Sequence, residues 1–321
     1  MILYGIPYQG SKTKIAPAII NRLPQGKRFC DLFGGGFAMS HCAKLSRKYE
    51  KIFYNELNPL LPPLLKKALC GDFNYNRFKP EFIKRERFYA EKEKDGYIKY
   101  IWSFGNSGKE YLFGRDLEPL KHEAHDFVVF GRPTKHFRQV EKVVTSKDIH
   151  QRRIQFCQYF RQQKKRFDIE NSERLERLGQ LERLERLEQL ENLNRFDPQQ
   201  LEQLERLQQL EQLERLQQLE RLERLQQLER RFTFSCGSYA DYEYQEGDVV
   251  YCDPPYEGTA EYDSAFDHRA FYQWVSTRPY QVWFSSYQGV KGFKLVWAKE
   301  LRSSLGAGNS SINFECLYTN K

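Results

Sequence analysis

Residues 248–256 read Asp-Val-Val-Tyr-Cys-Asp-Pro-Pro-Tyr: a short apolar run broken by two prolines, with an aspartate before them and a tyrosine after. Such a run bounded by turn residues is the signature of a buried strand, and consecutive prolines end it because neither has an N–H to continue a ladder. Working outward, 28–33 (RFCDLF) and 51–55 (KIFYN) are similar runs separated by a helix-like stretch, which makes a strand, helix, strand opening. The runs 232–236 (FTFSC) and 281–285 (QVWFS) repeat the pattern, and 312–318 (INFECLY) suits a last strand. An α/β sheet interrupted in sequence is the simplest architecture that holds them all.

The interruption has two parts of different character. Residues 73–170 carry 22 Lys and Arg against 14 Asp and Glu, and those of 135–166 are interleaved with Phe137, Phe156, Tyr159 and Phe160. A basic, aromatic surface of this kind suits a phosphate backbone, which draws Lys and Arg through counterion release. Lys135, Arg138, Arg152, Arg153, Lys164, Lys165 and Arg166 are its candidate contacts, and an ordinary solvated helix face is the competing explanation.

From Leu175 to Leu193 and again from Leu201 to Leu228 leucine recurs at every third position, in a nine-residue unit such as LEQLERLQQ. Leu, Glu, Arg and Gln favour helix, yet a spacing of three advances about 300° per leucine, so the stripe circles the helix and no heptad seam forms. Asp197-Pro198 with Gln200 supplies a helix start, which divides 171–231 into a helical hairpin. The block is read as an appended insertion dispensable for chemistry, with self-association or a protein partner as its use.

Mean hydropathy is −0.75 and no apolar run reaches the roughly 18 residues of a membrane span, so no membrane contact is expected. The seven cysteines form no CxxC pair and read as reduced thiols, and the six histidines show no ligand spacing, so no metal site is expected. The stretch Gly5–Thr13 nearly spells a phosphate loop, but Ser11 stands where that pattern requires lysine.

Two constellations carry chemistry. Asp253, Pro254, Pro255 and Tyr256 offer a carboxylate, a stiff carbonyl and an aromatic face, which suits a ring-bound amine. The carboxylate and the Pro254 carbonyl accept its two N–H groups, and Tyr256 stacks on a flipped base. Asp31, Phe33, Gly34 and Gly36 belong to a glycine turn at the end of a strand, and Glu56 follows about twenty residues after Gly34. That spacing fits a nucleoside-binding unit, with the acid on ribose hydroxyls.

Taken together, Tyr8-Gln9-Gly10-Ser11-Lys12, the DLFGGGF turn at 31–37, Asn55-Glu56-Leu57-Asn58, the basic middle, VVYCDPPY and the closing stretch 302–320 resemble the Dam-type, DPPY-containing DNA adenine-N6 methyltransferases. The resemblance implies a Rossmann-like methyltransferase sheet (1–72 and 232–321) that uses S-adenosyl-L-methionine. It also implies an inserted target-recognition domain (73–170) that binds double-stranded DNA. It assigns Tyr8 and Lys12 to the cofactor site, with Glu56 in place of an aspartate on the ribose and Asp253 between cofactor and target amine. A third glycine stands where the family usually has a small residue, and the leucine block has no counterpart. The implied protein is a site-specific DNA methyltransferase of a restriction-modification type, cytoplasmic and bacterial or phage-encoded. Cytosine-N4 methylation is the near rival, and a decayed DNA-binding or self-associating protein is the distant one.

Overall fold

The computed structural model describes residues 2–76, 78–132, 134–163, 165, 220–228, 231–257, 266–302 and 312–321. Seven strands form one sheet: β1 (Gly26–Asp31), β2 (Tyr49–Glu56), β3 (Phe232–Cys236), β4 (Asp248–Cys252), β5 (Val282–Tyr287), β6 (Lys294–Arg302) and β7 (Ile312–Thr319), in the order β3-β2-β1-β4-β5-β7-β6. The first five are parallel, with Phe29 beside Ile52 and Cys30 beside Val250, while β7 runs antiparallel to both β5 and β6.

Residues that face opposite sides of the sheet enter two cores. Phe29, Ile52, Tyr251 and Leu317 pack with Ile19 and Ile20 of α1 (Ala16–Arg22) and with Met39 and Ala43 of α2 (Ala38–Ser46). Cys30, Val250, Cys252 and Phe284 pack on the other side with Phe271 and Val275 of the helix His268–Ser276. Burial on both faces explains why Val249–Cys252 of β4 is an unbroken apolar run and why Phe29 and Cys30, on opposite faces of β1, are both apolar. The strand order reverses between β1 and β4, and in open parallel sheets the ligand crevice lies beyond the carboxyl ends of the strands at that point.

The expected strands are present, with two differences. The first ends at Asp31, so Leu32 and Phe33 already belong to the turn. β6 is an addition to the expected set, because KLVWAKELR lacks a clean alternation.

The chain divides into two compact units. One comprises Met1–Phe73, Ala90–Glu110 and Glu220–Lys321 and holds the sheet; the other comprises Asn74–Tyr89 and Tyr111–Leu219. The stretch 90–110, expected within the recognition segment, therefore clusters with the sheet. In the second unit Phe127, Phe137, Phe156 and Phe160 are buried against one another, Phe156 and Phe160 with ring centroids 4.8 Å apart. These aromatics build a core, which corrects their reading as part of a binding surface. The hairpin expected over 171–231 lies outside the described residues up to 219. Its last unit, 220–228, is described and belongs to the sheet-bearing unit.

Candidate active site

The turn after β1 is fixed by main-chain hydrogen bonds and by the neighbouring strand. Gly34 N donates to Asn55 O (2.8 Å), Gly35 N to Glu56 Oε2 (2.7 Å), and Tyr54 OH to Gly35 O (2.8 Å). Asn55 Nδ2 donates to Leu32 O and Gly237 O, which ties the β2 end to the turns beyond β1 and β3. The absence of side chains is required here: a Cβ on Gly36 would stand 2.5 Å from Tyr8 Cβ, and one on Gly34 would enter the Tyr54 ring. Glu56 also accepts from Asn58 N (2.9 Å), and a carboxylate has lone pairs left for a ligand hydroxyl. Phe33 stacks on Tyr239 (5.2 Å between centroids), and Tyr8 meets Tyr100 edge to face (5.1 Å).

At the carboxyl end of β4, Asp253, Pro254, Pro255 and Tyr256 form the second wall. Lys12 Nζ lies 3.0 Å from Asp253 Oδ1 and 3.4 Å from Glu315 Oε1, and 4.5 Å from the centroid of the Tyr256 ring. Tyr256 OH lies 3.1 Å from Asp253 Oδ1 and makes a short hydrogen bond to Glu315 Oε1. His268 Nε2 is 2.8 Å from Pro255 O; among the described residues no hydrogen bond engages the Pro254 carbonyl. Glu315, on β7 and only 4% exposed, is the residue the sequence reading missed. Its one signal was an acid inside the apolar run INFECLY.

These two walls enclose a cavity of about 590 Å³ whose lining includes Tyr8, Lys12, Phe33, Gly34, Gly36, Glu56, Asp253 and Pro255. Asp31 lies behind it, 1% exposed, with Oδ2 accepting from Ser40 Oγ (2.7 Å) and Oδ1 buried without a hydrogen bond. Burial pushes the Asp31 carboxyl up to about 7 against the Ser40 hydroxyl, and the charges of Asp253 and Glu56 add to the rise. Burial likewise raises Glu56, Asp253 and Glu315, with Lys12 opposing it for the last two. For Lys12 burial works downward, but Asp253 and Glu315 outweigh it and hold the ammonium protonated. The lining thus carries the carboxyl groups of Glu56, Glu93, Asp253 and Asp267 against the ammonium groups of Lys12 and Lys99, with Asp31 and Glu315 close behind, a surplus of acid that suits a cationic ligand. A larger cleft, about 880 Å³, lies at the amino ends of β1 and β2 beside Gly26 and Tyr49 and holds none of these groups, so volume alone does not locate the chemistry.

The basic candidates in the second unit separate by burial. Lys135, Arg138 and Lys165 are exposed and Arg153 is half-buried, while Lys164 and Arg166 lie outside the described residues. Arg152 is a correction. It is 8% exposed, and its guanidinium donates to Ser146 O (2.9 Å), Lys147 O (2.6 Å) and Phe127 O (3.4 Å). Those carbonyls include one in the last turn of the helix Glu118–Phe130, so Arg152 serves the fold of the unit and offers nothing to a phosphate. Among the described residues no group of His, Cys, Asp or Glu is placed to hold a metal, and no helix is long and apolar enough to cross a membrane.

The sheet, with helices on both faces, brings a glycine turn at the switch point and a DPPY strand end to one cavity. Residues 8–139 match the D12 class N6 adenine-specific DNA methyltransferase family. The match spans 132 of the 321 residues and supports adenine-N6 DNA methylation, an enzymatic activity, as the chemistry of this part of the chain. Curated proteins show no match to the chain.

Proposed function

We propose that the cavity is where both reactants meet, S-adenosyl-L-methionine against the glycine turn and a flipped adenine against DPPY. The observation that carries this is the shared cavity itself: Gly34–Gly36 and Glu56 from one strand pair, and Asp253 and Pro255 from β4, line the same 590 Å³. The residues fit the cofactor. Glu56 has capacity for ribose hydroxyls, the turn admits close approach only because it lacks Cβ atoms, and the surplus of carboxylates suits a sulfonium. Asp31 lies behind the turn with Oδ1 buried and without a hydrogen bond among the described residues. When bound, S-adenosylmethionine supplies the methyl group as an electrophile on its sulfonium.

The chain's own residues then act on the amine. Asp253 and the Pro254 carbonyl accept from its two N–H groups, which turns the nitrogen lone pair out of the ring and toward the methyl donor. Pro254 and Pro255 hold the loop rigid. Lys12 lies over the Tyr256 ring, so a base stacks only on the opposite face of that ring. Glu315 takes part of the Lys12 charge and the Tyr256 hydroxyl, which keeps both groups aligned with Asp253.

Lys135, Arg138, Arg153 and Lys165 are the described part of the proposed duplex-DNA surface, within a recognition domain that is the part of 73–170 outside the sheet-bearing unit, 74–89 and 111–170. The leucine block up to 219 is a surface for self-association or a partner. A cytoplasmic, bacterial or phage-encoded enzyme of the restriction-modification type accords with this chemistry.

The test is calorimetric titration of S-adenosylmethionine into wild-type protein and into Glu56→Ala. Saturable binding weakened roughly tenfold or more by the substitution is expected, since it removes an acceptor and the anchor of Gly35 N. Equal affinity in the two proteins would move the ribose site elsewhere.

A further inference from the structure

The last unit of the leucine repeat is joined to the cofactor end of the site. Residues 220–224 are helical and Leu225–Gln227 continue as a 3-10 turn, with Leu222 and Leu225 fully buried and Leu228 nearly so. The turn packs on α3 (Leu61–Cys70), where Gln226 lies so close to Gly71 that a Cβ there would stand 2.8 Å from Gln226 Oε1. On this helix Arg221 Nη2 donates to two main-chain carbonyls, Tyr4 O (2.9 Å) and Ile6 O (3.1 Å).

The hydrogen bonds around those carbonyls lead toward the cavity. Gly5 N donates to His41 Nδ1 (3.0 Å), and Ile6 N donates to Gly36 O (2.8 Å) in the glycine turn. Thr13 Oγ1, next to Lys12, donates to the same Tyr4 carbonyl that Arg221 holds (2.7 Å). The segment 4–6 is therefore clamped by Arg221 on one side and by the glycine turn on the other, and it runs directly into Tyr8 and Lys12. Burial, with the Arg221 charge added, lowers His41 to about 4, so its Nδ1 lone pair remains available to Gly5 N. Among the described residues Arg221 Nε has no hydrogen-bond partner, a costly placement for a guanidinium.

We infer that Arg221 is a positioning residue for the methyl-donor site: by forking onto the Tyr4 and Ile6 carbonyls it sets the N-terminal segment against the glycine turn and so places Tyr8 and Lys12. This rests on the reading of the cavity as the S-adenosylmethionine site. It makes the final repeat unit part of the catalytic unit, while the upstream units need not be. Arg224, in the same helix, is mostly exposed and pairs with Glu220 (3.5 Å); it repeats Arg206 and Arg215 of the earlier units, whereas Arg221 stands where those units have Gln203 and Gln212, so this unit departs from the repeat at the residue that reaches the N-terminal segment.

The experiment uses the full chain as wild type, Arg221→Gln, Arg221→Lys and Arg224→Gln. S-adenosylmethionine affinity is measured by calorimetry, and KM and kcat for it by methyl transfer at saturating DNA. Arg221→Gln should raise Kd and KM roughly tenfold through loss of two charge-assisted hydrogen bonds, with kcat at saturation within about twofold. Arg221→Lys, which keeps one such bond, should recover part of the loss, and Arg224→Gln should match wild type. Wild-type affinity in a folded Arg221→Gln protein would overturn the inference. So would a fall in kcat at unchanged KM, or failure of both Arg221 variants to fold, which would make the residue one of stability only. If wild type itself does not bind the ligand, it is the cofactor reading that fails, before any variant is compared.

Discussion

Alanine at Gly34 probes how tightly the turn is built around its missing side chain. The new Cβ would lie 2.7 Å from Tyr54 Cζ and closer still to Cε2 and Cδ2. Carbon atoms settle at about 3.5–4.0 Å, so the ring or the turn must retreat by about 1 Å or more. The ring has little freedom: Tyr54 is fully buried, its hydroxyl holds Gly35 O, and Phe37 and Phe234 lie 5.6 and 5.2 Å away between centroids. Overpacking of this kind costs about 1–3 kcal/mol, which for a unit of this size lowers Tm by roughly 2–12 °C. Where the strain falls on the turn, the same energy weakens S-adenosylmethionine binding by about 5- to 150-fold. Thermal unfolding and calorimetry read the two effects separately. Combining Gly34→Ala with Tyr54→Leu makes room for the methyl, and the pair should be less damaging than the sum of the single changes by about 1 kcal/mol. An unchanged Tm and affinity in Gly34→Ala, or strict additivity in the double variant, would refute the packing argument.

Three other perturbations address particular groups. Arg152→Gln should destabilise the second unit by about 2–3 kcal/mol in urea unfolding while leaving the salt slope of DNA binding unchanged, whereas Lys135→Gln with Arg138→Gln should reduce that slope by about 0.9 for each phosphate ion pair removed. Asp31 has a folded-state pKa near 7 against an ordinary 3.8, so the stability it contributes is full below about pH 4 and is lost as pH rises toward 7. Asp31→Asn should flatten that loss relative to wild type across the window, and parallel curves would contradict the burial argument. Replacing 173–219 with a short Gly/Ser linker should keep methyl transfer measurable, while extending the deletion through 228 should abolish cofactor binding, because Leu222, Leu225 and Arg221 go with it.

Much of the fold was legible because strands buried on both faces carry adjacent apolar residues, as Val249–Cys252 and the pair Phe29-Cys30 do. The DPPY end and the glycine turn were legible for a related reason: prolines and glycines mark backbone geometry that few other residues meet. What escaped depended on long-range placement. Glu315 is one acid in a C-terminal strand, and only the insertion of β7 between β5 and β6 brings it to Lys12 and Tyr256. Arg152 and Arg221 each sit in sequences where arginine is common, and charge counting cannot tell a guanidinium that caps main-chain carbonyls from one that meets a ligand. The aromatics of 135–166 were misread likewise, since a Phe at helical spacing serves a core as readily as a surface.

The central claim is that Asp253 and its neighbours present the adenine amine to a methyl donor held on the glycine turn. Its most direct test is transfer of an isotope-labelled methyl group from S-adenosylmethionine to duplex DNA by wild type and by Asp253→Ala, with the DNA digested to nucleosides and the labelled base identified. The account predicts label in N6-methyldeoxyadenosine with wild type, and a loss of about a hundredfold or more in Asp253→Ala at an unchanged circular dichroism spectrum. Label on cytosine N4, or activity of the folded variant within about threefold of wild type, would contradict it.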